Sequence, residues 1–153
     1  MHSPRIYIDT SVIGGCFDEE FSTSSNNLFR EINEGKKIAV ISDVTLLELE
    51  GASENIKNII KKIPPENLIL IYTDAESDYL SLQYIESGAI SPKFADDAQH
   101  VALATIHNID ILVSWNFKHL VNFNRIMKYN AINLTNGYKT IEIRTPLEVL
   151  NDE

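Results

Sequence analysis

The feature that most constrains this chain is a short run, Ile6-Tyr7-Ile8, that ends in Asp9 and opens the turn Thr10-Ser11-Val12-Ile13-Gly14-Gly15. An unbroken run of β-branched and aromatic residues reads as a strand buried on both faces. Such strands belong to parallel sheets covered by helices. In open sheets of that kind ligands bind outside the carboxyl ends of the strands, which is where Asp9 stands. With the first strand over 5–9, further strands are expected over 36–42, 68–72, 109–114 and 140–144.

Helical stretches separate them. One is expected near 27–34, with N-cap candidates in Ser22 to Ser25 and Gly35 as its stop. A second carries Leu46, Leu47 and Leu49, capped by Asp43 and ended by Gly51. A third covers about 53–62 and stops at Pro64-Pro65, a fourth covers 74–86 before Gly88, and a fifth covers 95–108. Pro146 opens a last helical turn. Strands alternating with helices form βαβ units, so the expected class is α/β with a mainly parallel sheet covered on both faces. The 153 residues suffice for one domain with a sizeable core.

Composition narrows the function classes. No apolar stretch approaches a membrane span, and residues 1–5 lead directly into a strand, so no signal peptide is expected. A single cysteine excludes an internal disulfide framework and a cysteine-based zinc site, which points to the cytoplasm. Cys16 itself reads as a small packing residue after two glycines.

The net charge of −9 argues against indiscriminate nucleic-acid binding, but the charge is uneven. Residues 111–141 contain no acid and carry +4 through Lys118, Arg125, Lys128 and Lys139, which leaves −13 on the remainder. The same stretch holds Trp115, Phe117, Phe123, Tyr129, Tyr138 and six asparagines. Cations, rings and amides suit single-stranded nucleic acid. The alternative is a sheet edge with core aromatics and solvated lysines.

Carboxylates at element ends suggest a metal site assembled by the fold. Asp9 ends the first strand, Glu48 lies in Leu46-Leu47-Glu48-Leu49, and Asp96-Asp97 open a helix where its dipole favours anions. Asp97 shares a helix face with Val101 and Ala104, whereas Asp96 lines up with His100, Leu103 and His107. Ser114-Trp115-Asn116 follows the fourth strand as Asp9-Thr10-Ser11 follows the first, so both turns leave a parallel sheet at one edge. Asp9, Asp97 and Asn116 are thus expected to converge, with Glu48 reaching in. Magnesium and manganese prefer such oxygen donors. Clustered carboxylates without a cation repel, which raises at least one pKa. His100 and His119 are read as structural.

These motifs resemble those of PIN-domain proteins, of the kind found as VapC-type toxins in toxin–antitoxin pairs. The matching pieces are 6–12, 41–49, 97–104 and 111–120, which in order and separation span nearly the whole chain. The resemblance implies a single PIN-like domain over residues 1–153, with a five-stranded α/β/α sandwich. It also implies a Mg2+- or Mn2+-dependent ribonuclease, often a homodimer, with a small antitoxin as partner. Carried over by position, Asp9, Glu48 and Asp97 match the three core acids, and Ser11 and Ser114 match supporting hydroxyls. Where many PIN domains place a fourth aspartate this chain has Asn116, a neutral amide. From the basic, aromatic stretch, Lys118 and Trp115 are the candidate RNA contacts, with a merely exposed lysine as the alternative for Lys118. Two other classes remain for comparison: a phosphotransferase of haloacid-dehalogenase type, opposed by Ser11 at the second position of its Asp-X-Asp, and a PIN-like binding module without turnover. Gly14-Gly15 fits neither a dinucleotide-binding fingerprint nor a P-loop.

Overall fold

The strands β1 (Arg5–Ile8), β2 (Ile38–Ser42), β3 (Leu68–Ile71), β4 (Ile111–Val113) and β5 (Ile143–Arg144) pair in parallel in the order β3-β2-β1-β4-β5. Eight α-helices accompany them in the computed structural model, which describes residues 3–151: α1 (Thr10–Gly15), α2 (Ser22–Asn33), α3 (Asp43–Leu49), α4 (Glu54–Lys61), α5 (Ala75–Glu86), α6 (Ala95–Ile106), α7 (Phe123–Thr135) and α8 (Pro146–Val149). Strand alternation sends Tyr7, Val40 and Leu112 to one face, where they pack with Leu80, Tyr84, Val101, Leu103 and Tyr129 of α5, α6 and α7. Ile6, Ile8, Ala39, Ile41 and Val113 face the other way, against Val12, Ile13, Leu28, Ile32 and Ile60 of α1, α2 and α4. The expected α/β sandwich with a parallel sheet is therefore present.

The order of the strands fixes where a site can form. From β1 the chain steps outward to β2 and β3, then crosses back through α5 and α6 to β4 on the other flank of β1. The connections diverge at β1 and β4, which opens a crevice at their carboxyl ends.

Several local expectations give way to the structure. The expected turn after Asp9 is the helix α1, with Asp9 as its extended N-cap residue at φ −69° and ψ 146°. Gly15 there answers a packing demand, because a Cβ would lie 2.7 Å from Ser25 Oγ and 2.8 Å from Trp115 Nε1. Helix α2 begins already at Ser22, so Ser22 to Ser25 lie inside it rather than capping it. Asp18 holds the preceding turn by accepting from Glu20 N–H at 2.8 Å and Phe21 N–H at 3.3 Å. Ser42, not Asp43, caps α3; Asp43 accepts from the Thr73 backbone N–H at 3.0 Å and its hydroxyl at 2.7 Å. The basic stretch is not a sheet edge: residues 123–135 form α7, capped by Asn122, with Tyr129 and Asn133 buried. Among the described residues no helix is long and apolar enough to cross a membrane.

Candidate active site

Asp9 is delivered by the backbone ladder itself. Its N–H donates to Val113 O at 3.1 Å, extending the β1–β4 pairing by one residue beyond the strand. The residue is 4% exposed, and its Oδ2 accepts from Ser11 Oγ at 2.6 Å and Ser114 Oγ at 2.8 Å. Each hydroxyl is oriented in turn: Ser11 Oγ accepts from Trp115 N–H at 3.0 Å, and Ser114 Oγ from Asn116 N–H at 2.8 Å. The turns after β1 and β4 are thus laced through one carboxylate oxygen, and charge-assisted bonds of this kind are the strong ones. Both serines thus donate to one oxygen of Asp9.

Glu48 projects from α3 toward the same crevice. Its Oε1 accepts from Thr10 Oγ1 at 2.9 Å and lies 2.6 Å from His100 Nε2. His100 is fully buried, 3.8 Å from Asp9 Oδ1, with Nδ1 2.6 Å from Tyr7 OH. Burial works against the imidazolium, but Tyr7, the Glu48 hydrogen bond and the Asp9 charge outweigh it and hold the His100 pKa well above the ordinary value. Burial likewise works against the Glu48 charge, and the His100 and Thr10 contacts overcome it, keeping that carboxyl below its ordinary range.

Asp97 is the least satisfied of the three. It sits half-buried in the first turn of α6, and Asn116 Nδ2 approaches its Oδ2 at 3.4 Å. Burial, then the negative charge of Asp9, pushes its pKa up to about 6 against the pull of His100. Asn116 does not turn its amide oxygen to this carboxylate. That Oδ1 accepts from the backbone N–H groups of Lys118 at 3.2 Å and His119 at 3.0 Å, which fixes the turn after β4.

Glu48, Asp96 and Asp97 share an open pocket of about 340 Å³ with Lys93 and Phe94. A more apolar groove between α3 and α4, lined by Leu46, Leu49, Lys57 and Ile60, lacks such a cluster of acids and offers no comparable chemistry. Trp115 is anchored rather than free, with its ring stacked on Phe21 at 4.3 Å and its Nε1 donating to Ser25 Oγ at 2.9 Å. Phe117 and Lys118 next to it are exposed.

The donor set consists of hard carboxylate oxygens, the chemistry that suits Mg2+ or Mn2+. Among the described residues no group of three or more His, Cys, Asp or Glu side chains is arranged to hold a metal ion. The hydrogen bonds of Asp9 fall on Oδ2, with Oδ1 3.8 Å from His100 Nε2, and those of Glu48 fall on Oε1, which leaves Glu48 Oε2 for a ligand. Together with the uncompensated charge at Asp97, this fits a hard divalent cation. Sequence reasoning missed the part played by His100 and Tyr7. The available signal was the i,i+3 spacing of Asp97 and His100, which puts both on one helix face.

No family model matches the chain, and no curated protein matches it in sequence. Solved structures do match in fold. VapBC2 from Rickettsia felis, bound to a DNA fragment from its promoter, aligns over 92% of this chain and 98% of its own, at 17% identity and a TM-score of 0.57. FitAcB from Neisseria gonorrhoeae aligns over 94% and 99%, at 14% identity and a TM-score of 0.58. Mycobacterium tuberculosis VapC20, a sarcin-ricin loop cleaving toxin, aligns over 90% and 98%, at 12% identity and a TM-score of 0.53. The chain has the PIN-like fold of these VapC-type structures. Tyrosyl-tRNA synthetase from Aeropyrum pernix also aligns with a TM-score of 0.53, over 53% of its length at 9% identity. Fold alone therefore does not choose the reaction, and the site must.

Proposed function

We propose that this protein is a divalent-metal-dependent endoribonuclease that hydrolyses RNA phosphodiester bonds and serves as the toxin of a toxin–antitoxin pair. The observation that supports this reading is His100 lying between Glu48 (2.6 Å) and Asp9 (3.8 Å), with the charges of both acids felt at Asp97, in a fold shared with a sarcin-ricin loop cleaving toxin. Asp9, Glu48 and Asp97 are the residues that would hold Mg2+ or Mn2+. When bound, such an ion supplies charge neutralisation at the scissile phosphate and a more acidic attacking water.

The remaining roles belong to the chain. Ser11 and Ser114 orient Asp9. Asn116 steadies Asp97 through its amide N–H and caps the turn through its oxygen. Lys118 is exposed beside that turn and suits a phosphate, while Phe117, 50% exposed and backed by the Trp115–Phe21 stack, suits an unpaired base. Trp115 then supports this contact from behind. An antitoxin segment would cover the acidic pocket, and a homodimer is the assembly that the family resemblance implies. Residues 1–153 are read as one PIN-like domain, and the cytoplasm as its place of action.

One observation favours a second reading, a PIN-like binding module without turnover. Asn116 brings no charge, and its oxygen is committed to two backbone amides. Incubating a mixed RNA pool with purified protein under Mg2+, Mn2+ or chelator separates the two. The nuclease predicts metal-dependent cutting that disappears in Asp9→Asn and Asp97→Asn. RNA binding with no cutting under either metal would establish the module instead.

A further inference from the structure

Behind Glu48 runs a buried hydrogen-bond chain that the proposed reaction does not yet use. It leaves α3 at its N-terminus and returns to α3 at Glu48. The Thr45 backbone N–H donates to Ser42 Oγ at 3.4 Å, and Ser42 Oγ lies 2.7 Å from Tyr7 OH. Tyr7 OH lies 2.6 Å from His100 Nδ1, and His100 Nε2 donates to Glu48 Oε1 at 2.6 Å. Tyr7, Ser42 and His100 are all fully buried.

The direction of the last bond follows from chemistry. An ionised carboxylate only accepts, so Nε2 carries the hydrogen whether the ring is neutral or charged. The inner bonds adapt to either state, because Tyr7 and Ser42 hydroxyls both donate and accept. Leaving any of these buried groups without its partner costs about 1–3 kcal/mol, so the links hold one another in place. Glu48 needs such restraint. Its side chain is 28% exposed on a helix of 7 residues, and a free Glu loses rotamer entropy whenever it is fixed. Because His100 and Thr10 both bond Oε1, the restraint also determines which oxygen remains for the crevice.

We propose that Tyr7 and His100 are positioning residues that, through this closed chain from β1 and α6, set the Glu48 carboxylate for the divalent ion. The inference rests on Glu48 being a ligand of that ion. The test is Mn2+ affinity of the purified protein, read from the free Mn2+ signal in electron paramagnetic resonance, well below the melting temperature of each variant. Tyr7→Phe removes one oxygen atom and is expected to weaken binding about 10-fold; His100→Ala is expected to weaken it further, toward about 100-fold, the range for loss of an outer partner of a ligand. His100→Gln, whose amide can donate to Glu48, recovers part of the loss. Should His100→Ala fail to fold, Tyr7→Phe decides. Equal or tighter Mn2+ binding by Tyr7→Phe, even with a lower melting temperature, overturns the proposal, because a purely structural role would give that result. If that happens while Glu48→Gln binds weakly, the metal-dependent reading stands and only the positioning role falls. If the unsubstituted protein binds no Mn2+, both fall together.

Discussion

The joined turns after β1 and β4 hold Asp9, the first turn of α6 holds Asp97, and the two regions treat these carboxylates in opposite ways. Asp9 is buried with two hydroxyl donors on one oxygen, each donor held by a backbone N–H. Asp97 has one distant amide donor and a pKa pushed up to about 6 by burial and by Asp9. The first region spends its hydrogen-bonding groups on fixing a charge in place, and the second leaves a charge uncompensated nearby. Preorganised negative charge with a deficit of cations is what a hard divalent ion would relieve.

The contrast predicts variants with similar activity and opposite stability. Asp9→Asn and Asp97→Asn should each lower metal-dependent RNA cleavage by more than the about 100-fold that loss of an outer partner costs. In unfolding experiments with chelator, however, Asp9→Asn should lose stability: the bonds from Ser11 and Ser114 lose their charge assistance, and an NH2 donor replaces the oxygen that faces His100, changes worth about 1–3 kcal/mol. Asp97→Asn should gain stability at neutral pH. If both variants move the same way in chelator, the contrast is wrong.

Smaller substitutions sharpen it. Ser11→Ala and Ser114→Ala leave Asp9 with one donor and should weaken metal affinity and cleavage about 10-fold each. Asn116→Asp adds a like charge beside Asp97 and removes its only amide donor. Its melting temperature should fall in chelator and recover with Mn2+ by more than that of the unsubstituted protein. An unchanged metal-free melting point would count against the crowding of charge at Asp97.

The smallest effect is one of pH. The folded pKa of Asp97, about 6, lies above its ordinary 3.8. Its contribution to stability is therefore fully present below about pH 4 and is lost as the pH rises through about 6. Without metal, the advantage of Asp97→Asn should open between those values and stay level above them. A difference that is flat with pH would place the Asp97 carboxyl in an ordinary environment.

Much of this was legible in the sequence because apolar runs ending in polar turns leave little choice of fold. Ile6-Tyr7-Ile8-Asp9 and Ile111 to Ser114 read as strands of one parallel sheet, whose turns leave at one edge; that β1 and β4 are neighbours, which brings Ser114 to Asp9, is seen only in the structure. What stayed hidden has physical reasons. Gly14 and Gly15 look like turn residues, yet Gly15 sits in a helix because Trp115 and Ser25 leave no room for a Cβ. Helix α7 is rich in asparagine, a poor helix former, and draws support from buried Tyr129 and Asn133 instead. The amide of Asn116 matched a metal-facing position in the motif, but two backbone N–H groups claim its oxygen. His100 lies between Gln99 and Val101 in the sequence, and nothing there reveals that Tyr7 meets it from the sheet.

The most direct test of the account is calorimetric titration of Mn2+ into the protein near pH 6, in two buffers of different ionisation enthalpy, for the unsubstituted chain and Asp97→Asn. One saturable binding event with proton release is expected, because an ion at the crevice must displace the proton that Asp97 partly holds at that pH. Asp97→Asn should lose both the affinity and the buffer dependence. Binding of equal strength in the variant, with the same proton release, would place the metal elsewhere and contradict the assignment of Asp9, Glu48 and Asp97 as one site.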